Sequence, residues 1–139
     1  MGSRRKAREL ALQFLYKLDV SGEGFSPGAL DDFLLDFGTR EEDKDYAVIL
    51  IENTWGRREG IDEILSAHLE NWTLERLSAI DRNILRFAAC ELLCFLDIPV
   101  NVAINEAIEI AKRYSLEESA TFINGVLDKI AKDVRKGSD

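Results

Sequence analysis

Between Ser78 and Pro99 lies a stretch that restricts what this chain can fold into. Ile80, Ile84, Leu85, Phe87, Ala88, Ala89, Leu92, Leu93, Phe95 and Leu96 fall on nearly every side of a helix. A helix that is apolar all round belongs at a centre, with other elements packed about it. Ser78-x-x-Asp81 supplies its N-terminal cap, and Pro99 ends it. Lipid is not the surrounding medium, because no run of even about ten consecutive apolar residues occurs, against the roughly twenty of a membrane span. The start, Met1-Gly2-Ser3-Arg4-Arg5-Lys6, has no apolar signal-peptide region behind it, so the expected location is the cytoplasm.

The rest of the sequence supplies the surrounding helices. Ala7, Leu10, Ala11, Phe14, Leu15 and Leu18 recur at three-four spacing and predict a helix over about 4–19 that Ser3 can cap. Leu12 and Tyr16 fall beside that stripe, partly exposed, where extra core and a partner-facing surface are equally open readings. Ser26-Pro27 starts a second helix with Leu30, Phe33, Leu34 and Phe37 inward and Gly38 as its stop. Thr39 and Glu42 form a capping box for a long third helix through Tyr46, Ile49, Leu50, Trp55, Ile61, Ile64 and Leu65, loosened by Gly56 and Gly60. After a short helical turn at 74–78 and the apolar helix, Asn101 can cap a helix bearing Val102, Ala103, Ala107, Ile108 and Ala111. Ser115-x-x-Glu118 can cap the last one, bearing Ala120, Ile123, Leu127, Ile130 and Val134. Asn124-Gly125 looks like a hairpin turn, but the helical spacing runs through it, so Gly125 is expected to admit a neighbouring helix. No strand alternation survives, and the fold class is all-α.

Charge is unevenly placed. The 139 residues carry a net charge of −8, yet residues 1–17 carry Arg4, Arg5, Lys6, Arg8 and Lys17 against Glu9 alone. Cations in the first turn of a helix oppose its dipole, so stability would not select them, whereas a phosphate-bearing partner would. An acidic remainder repels nucleic acid and confines it to that end.

Enzyme chemistry finds little support. The single histidine, His68, has no nucleophile or carboxylate companion in sequence and reads as solvated or half-buried. Cys90 and Cys94 sit one helical turn apart, too far for a disulfide, and no second ligand pair accompanies them, so they read as packing thiols. Phosphate-cradling glycine loops and nucleophile elbows are absent from the sequence. No metal, cofactor or catalytic residue is expected. Asn71-Trp72-Thr73 matches a glycosylation sequon, which a chain outside the secretory route does not use. Glu91, embedded in Phe87-Ala88-Ala89-Cys90-Glu91-Leu92-Leu93, must be satisfied internally, reach a rim, or meet a cation on a partner.

Five blocks in order complete the reading: Arg4-Arg5-Lys6-Ala7-Arg8-Glu9 with Ala11-Leu12-Gln13-Phe14-Leu15-Tyr16; Asp81-Arg82-Asn83-Ile84-Leu85-Arg86 with Glu91-Leu92; Ile98-Pro99-Val100; Ile104-Asn105-Glu106-Ala107-Ile108-Glu109; and Phe122-Ile123-Asn124-Gly125-Val126-Leu127-Asp128. Together they resemble the NusB family of bacterial transcription antitermination factors, over almost the whole chain. The resemblance implies about seven helices in two small packed bundles, an N-terminal one over about 4–70 and a C-terminal one over about 74–135, within a single domain of residues 1–139. It implies binding to the boxA segment of nascent ribosomal RNA together with the ribosomal protein NusE, within the RNA polymerase antitermination complex; a homodimer is also allowed. By position, Arg4, Arg5, Lys6 and Arg8 correspond to the basic RNA-binding start. Glu118 and Phe122 correspond to a second RNA surface, with Phe122 stacking a base and Glu118 accepting a base N–H. Tyr16 and Glu91 correspond to the contact region for the ribosomal protein. Two positions depart from the family pattern: Thr121 stands where Lys is usual, and Glu118 where Asp is frequent.

Two other readings compete. One is the NusB-like RNA-binding domain of ribosomal RNA cytosine methyltransferases, which would require a longer protein. The other is a helical interaction module without RNA, in which the N-terminal cations pair with the acidic 31–45 segment.

Overall fold

A computed structural model describes residues 3–37 and 40–135. It comprises α1 (Ser3–Ser21), α2 (Pro27–Asp36), α3 (Glu41–Gly56), α4 (Arg58–His68), a 3-10 turn (Leu74–Arg76), α5 (Ala79–Cys94), α6 (Val100–Tyr114) and α7 (Glu117–Val134). Among the described residues there is no strand.

The central position of α5 follows from its composition. Every residue from Asn83 to Leu92 except Arg86 is buried, and α5 packs against α1, α3, α4, α6 and α7. Its start is capped as expected, with the Ser78 hydroxyl accepting from the Asp81 amide at 3.1 Å. Its end is closed from far away in sequence. The buried Arg135 guanidinium donates to the carbonyls of Glu91, Leu92, Phe95 and Ile98 at 2.6–3.1 Å, satisfying groups that a helix C-terminus leaves open.

Several local expectations need correction. The long third helix is two helices: α3 ends at Gly56, Arg57 takes a non-helical cap conformation, and α4 restarts at Arg58. The α6 cap lies two residues before Asn101, at Pro99, whose carbonyl already accepts from Val102 and Ala103 at 3.1 Å. Ser115 does not cap α7. Its hydroxyl is committed to Asp81 at 2.6 Å and Ser119 at 3.1 Å, and Leu116 occupies the cap position. Leu12 is buried, while Phe37, Ile49, Leu96, Val102 and Val134 are exposed. Gly125 admits no neighbouring helix, since a Cβ there would meet nothing within 4 Å. The Gly38 stop and the Thr39 cap fall outside the described residues, as does the Ser3 side chain. One glycine has a conformational duty: Gly22 ends α1 at φ +73°, with its amide bonded to the Leu18 carbonyl at 3.1 Å.

A polar cluster joins the C-terminal end of α1 to α4 and α5. Asp19 accepts from Arg82 at 2.8 Å, Asn83 at 2.9 Å and Arg86 at 3.2 Å, and Arg86 also pairs with Asp62 at 2.8 Å. Burial pushes the Asp19 carboxyl up, but the bonds from Arg82 and Asn83 hold it below its ordinary value. Arg82 also donates to the carbonyls of Leu74 and Leu77 at 3.2 and 3.0 Å. That fixes the 3-10 turn beside the start of α7.

Candidate nucleic-acid interface

The four N-terminal cations face two environments. Arg4 and Lys6 are exposed, and neither forms an ion pair among the described residues; the Arg4 guanidinium lies over the Tyr46 ring, 4.4 Å from its centroid. Arg5 reaches the Glu106 carboxylate of α6 with two bonds, of 2.6 and 2.8 Å. That bidentate contact holds the Glu106 carboxyl below the usual carboxylate range. Arg8 is a correction: it is only 2% exposed, and its Nε donates to Glu91 at 2.7 Å. No phosphate can reach it directly.

Glu91 is corrected with it. Its exposure is 0%, and the oxygen that accepts from Arg8 also accepts from the Tyr46 hydroxyl at 2.6 Å. Burial pushes the Glu91 carboxyl up against the opposing pull of Arg8 and Tyr46. A carboxylate so enclosed is the internal partner of Arg8, not a surface group that meets a cation on another protein. Tyr16, eight residues beyond Arg8 and so about 12 Å further along α1, is exposed at 40%, with exposed Val20 one turn later.

Among the described residues, the N-terminal cations do not pair with the 31–45 segment. Their acidic partners are Glu91 and Glu106. A cleft of about 420 Å³ opens between α1 and α6, lined by Arg5, Lys6, Glu9, Glu109, Lys112 and Arg113. Arg113 is tied to Glu9 at 3.0 Å. Lys112, in contact with Glu109 at 3.4 Å, and Arg113 stand in the last turn of α6, so cations and carboxylates alternate toward the α6–α7 corner.

Beyond that corner the surface changes character. Glu118 is exposed and Phe122 half-buried, and both line a cleft of about 480 Å³ that also takes in Trp72, Arg76, Leu116 and Asp81. Asp81 is held by the Ser115 and Ser119 hydroxyls at 2.6 and 2.8 Å, so its position is fixed from α7. Trp72 is 53% exposed and Leu116 68%. A groove of about 280 Å³ shares Trp72 and Phe122 with the cleft, and His68, Thr121, Gly125 and Lys129 also line it. Two aromatic residues thus border both hollows, with carboxylates and an arginine on one side and the Lys129–Glu70 pair on the other. Such a surface can stack unpaired bases and hydrogen-bond their edges.

Trp72, Arg76, Leu116, Lys112, Arg113 and Lys129 were not singled out from the sequence. Trp72 carried a readable signal: a tryptophan inside a polar Glu70-to-Thr73 pause, outside any apolar periodicity. The others carried none, because only the fold brings the 3-10 turn to the start of α7.

The chain's likeness to known proteins is extensive. Residues 5–132 match the NusB family. The transcription antitermination protein NusB of Desulfosudis oleivorans is 44% identical over 136 residues, spanning 96% of this chain and 88% of its own. Among solved structures, T. maritima NusB matches with a TM-score of 0.86 at 41% identity, over 94% of this chain and 91% of that one. A chain in a crystal structure of antitermination factors NusB and NusE in complex with dsRNA matches with a TM-score of 0.84 at 31% identity, over 96% of this chain and 98% of that one. With its five sequence blocks in order and its whole helical framework shared, the chain belongs to the NusB family.

Proposed function

We propose that this chain is an RNA-binding transcription antitermination factor of the cytoplasm, which holds the boxA segment of nascent ribosomal RNA together with the ribosomal protein NusE. RNA runs from the cations at the start of α1, past Lys112 and Arg113, to the aromatic cleft at α7. Arg4, Arg5 and Lys6 attract phosphate, Phe122 and Trp72 stack bases, and Glu118 accepts from a base amino or imino group. Arg8 contributes indirectly, by anchoring the first turns of α1 on Glu91. Tyr16 and Val20 belong to the surface offered to the ribosomal protein, and the N-terminal bundle over about 4–70 carries that surface.

The observation that carries this reading is one cleft lined by exposed Trp72, half-buried Phe122 and the acceptor Glu118. A carboxylate repels phosphate, so its place in an RNA cleft has a purpose only toward base donors. Filter binding of boxA and scrambled RNA across a salt series tests it. Phe122→Ala should lower boxA affinity by about 1–3 kcal/mol with little change in salt slope. Equal binding of boxA and scrambled RNA by the parent, or an unchanged boxA affinity in the variant, would overturn it.

A further inference from the structure

One feature of α7 is unexplained by the fold. Gly125 stands in the middle of an 18-residue helix, where glycine is a poor choice because it gives up the most backbone freedom. Gly56 and Gly60 also have open space around them, but they sit at the end of α3 and in the first turn of α4, where helices loosen anyway. Gly125 has no such excuse. Its φ is not positive, and a Cβ would meet no atom of the protein within 4 Å. An alanine would therefore fit the free protein and favour the helix.

We propose that the bare α7 backbone at Gly125 is the seat of one nucleotide of a single-stranded RNA, next in the strand to the base stacked on Phe122. The inference rests on the RNA reading above and extends it by one subsite. Gly125 lies in the groove that shares Trp72 and Phe122 with the main cleft, so a strand crossing the two rings is led into it. The far wall is polar, with each charge on it paired. Lys129 lies there, and both ring nitrogens of His68 face acceptors, the Ile64 carbonyl at 2.8 Å and Asp133 at 2.6 Å. Only the imidazolium donates to both. Glu70 pairs with Lys129 at 2.7 Å as Asp133 does with His68, so the wall offers hydrogen-bonding groups with little net charge. The Thr121 hydroxyl adds a donor and acceptor at the groove edge. Rings at one end and a polar wall of Thr121, His68, Glu70 and Lys129 at the other suit a base with its sugar better than an apolar peptide. The absent side chain lets the sugar or base lie against the helix itself.

The test uses Gly125→Ala in the full chain, with a boxA-type RNA oligonucleotide, the same oligonucleotide trimmed by one or two nucleotides at either end, and Phe122→Ala alongside. Gly125→Ala should raise Tm by about 3 °C while lowering affinity for the full oligonucleotide about tenfold. One of the two trimmed RNAs should bind parent and variant alike, because it no longer reaches the groove. Stability and binding moving in opposite directions is the signature. Unchanged RNA affinity in Gly125→Ala with a loss in Phe122→Ala overturns this inference alone. Unchanged affinity in both overturns the site reading with it. A lowered Tm in Gly125→Ala, or a loss of NusE binding with RNA affinity intact, assigns Gly125 to folding or to a protein partner and overturns the inference.

Discussion

The start of α1 and the corner between the 3-10 turn and α7 were assembled by opposite routes. At the start of α1 the sequence is crowded with charge, and folding takes much of it back: Arg8 is sealed against Glu91, and Arg5 is clamped to Glu106. At the corner the sequence is ordinary, and folding leaves a tryptophan and a leucine more than half exposed beside Phe122. A count of cations therefore overstates the charge offered to a polyanion. Apolar surface left uncovered after packing marks a binding face more directly.

The largest expected effect bears on the sealed pair. Arg8→Met leaves Glu91 buried beside Tyr46 alone, and should cost about 3–5 kcal/mol of stability in urea denaturation. An unchanged midpoint would return Arg8 to the RNA surface and erase the contrast. Next comes Trp72→Ala, which should lower RNA affinity by about 1–3 kcal/mol while leaving the melting temperature near that of the parent. A large drop in Tm with intact binding would make Trp72 a packing residue. Third, replacing Arg4 and Lys6 together by alanine should flatten the log–log salt slope by about 0.7 per lost phosphate contact, with a stability loss of no more than about 1 kcal/mol from the Arg4–Tyr46 contact. The same slope in the variant would mean that the free cations face no phosphate. The smallest effect concerns His68, whose pKa is raised first by the Ile64 carbonyl and then by Asp133. A raised histidine stabilises the fold fully below its unfolded value of about 6.5, and that contribution disappears as pH climbs through the higher folded value. Tm should decline slightly from about pH 6 to about 8 in the parent and stay flatter in His68→Gln. Identical curves would show that the contact with Asp133 is only a solvated one.

How much of this was legible in the sequence depended on whether the signal was local. Ser26 and Ser78 read correctly as caps, because a hydroxyl accepting from an amide three residues on is decided within one turn. Ser115 misread for the converse reason: Asp81, distant in sequence, claims its hydroxyl. The apolar helix and its central place were legible from composition alone. The destination of Glu91 was legible only as a set of alternatives, since the choice between an internal cation and a partner's depends on which face of α1 meets α5. The position of Phe122 was legible through the family resemblance, but its neighbours Trp72 and Arg76 were not, because a tertiary contact held by Arg82 carries them there.

The Arg135 clamp on the end of α5 has a bearing on how the chain is made. The carbonyls of Glu91, Leu92, Phe95 and Ile98 lack their guanidinium until translation has passed residue 135 and the segment has emerged from the ribosome. The helix that seats α1 is thus finished by a residue that lies beyond the end of α7. The central helix is therefore closed at its end only after α6 and α7 have both been made, although the faces that receive α1 are complete earlier.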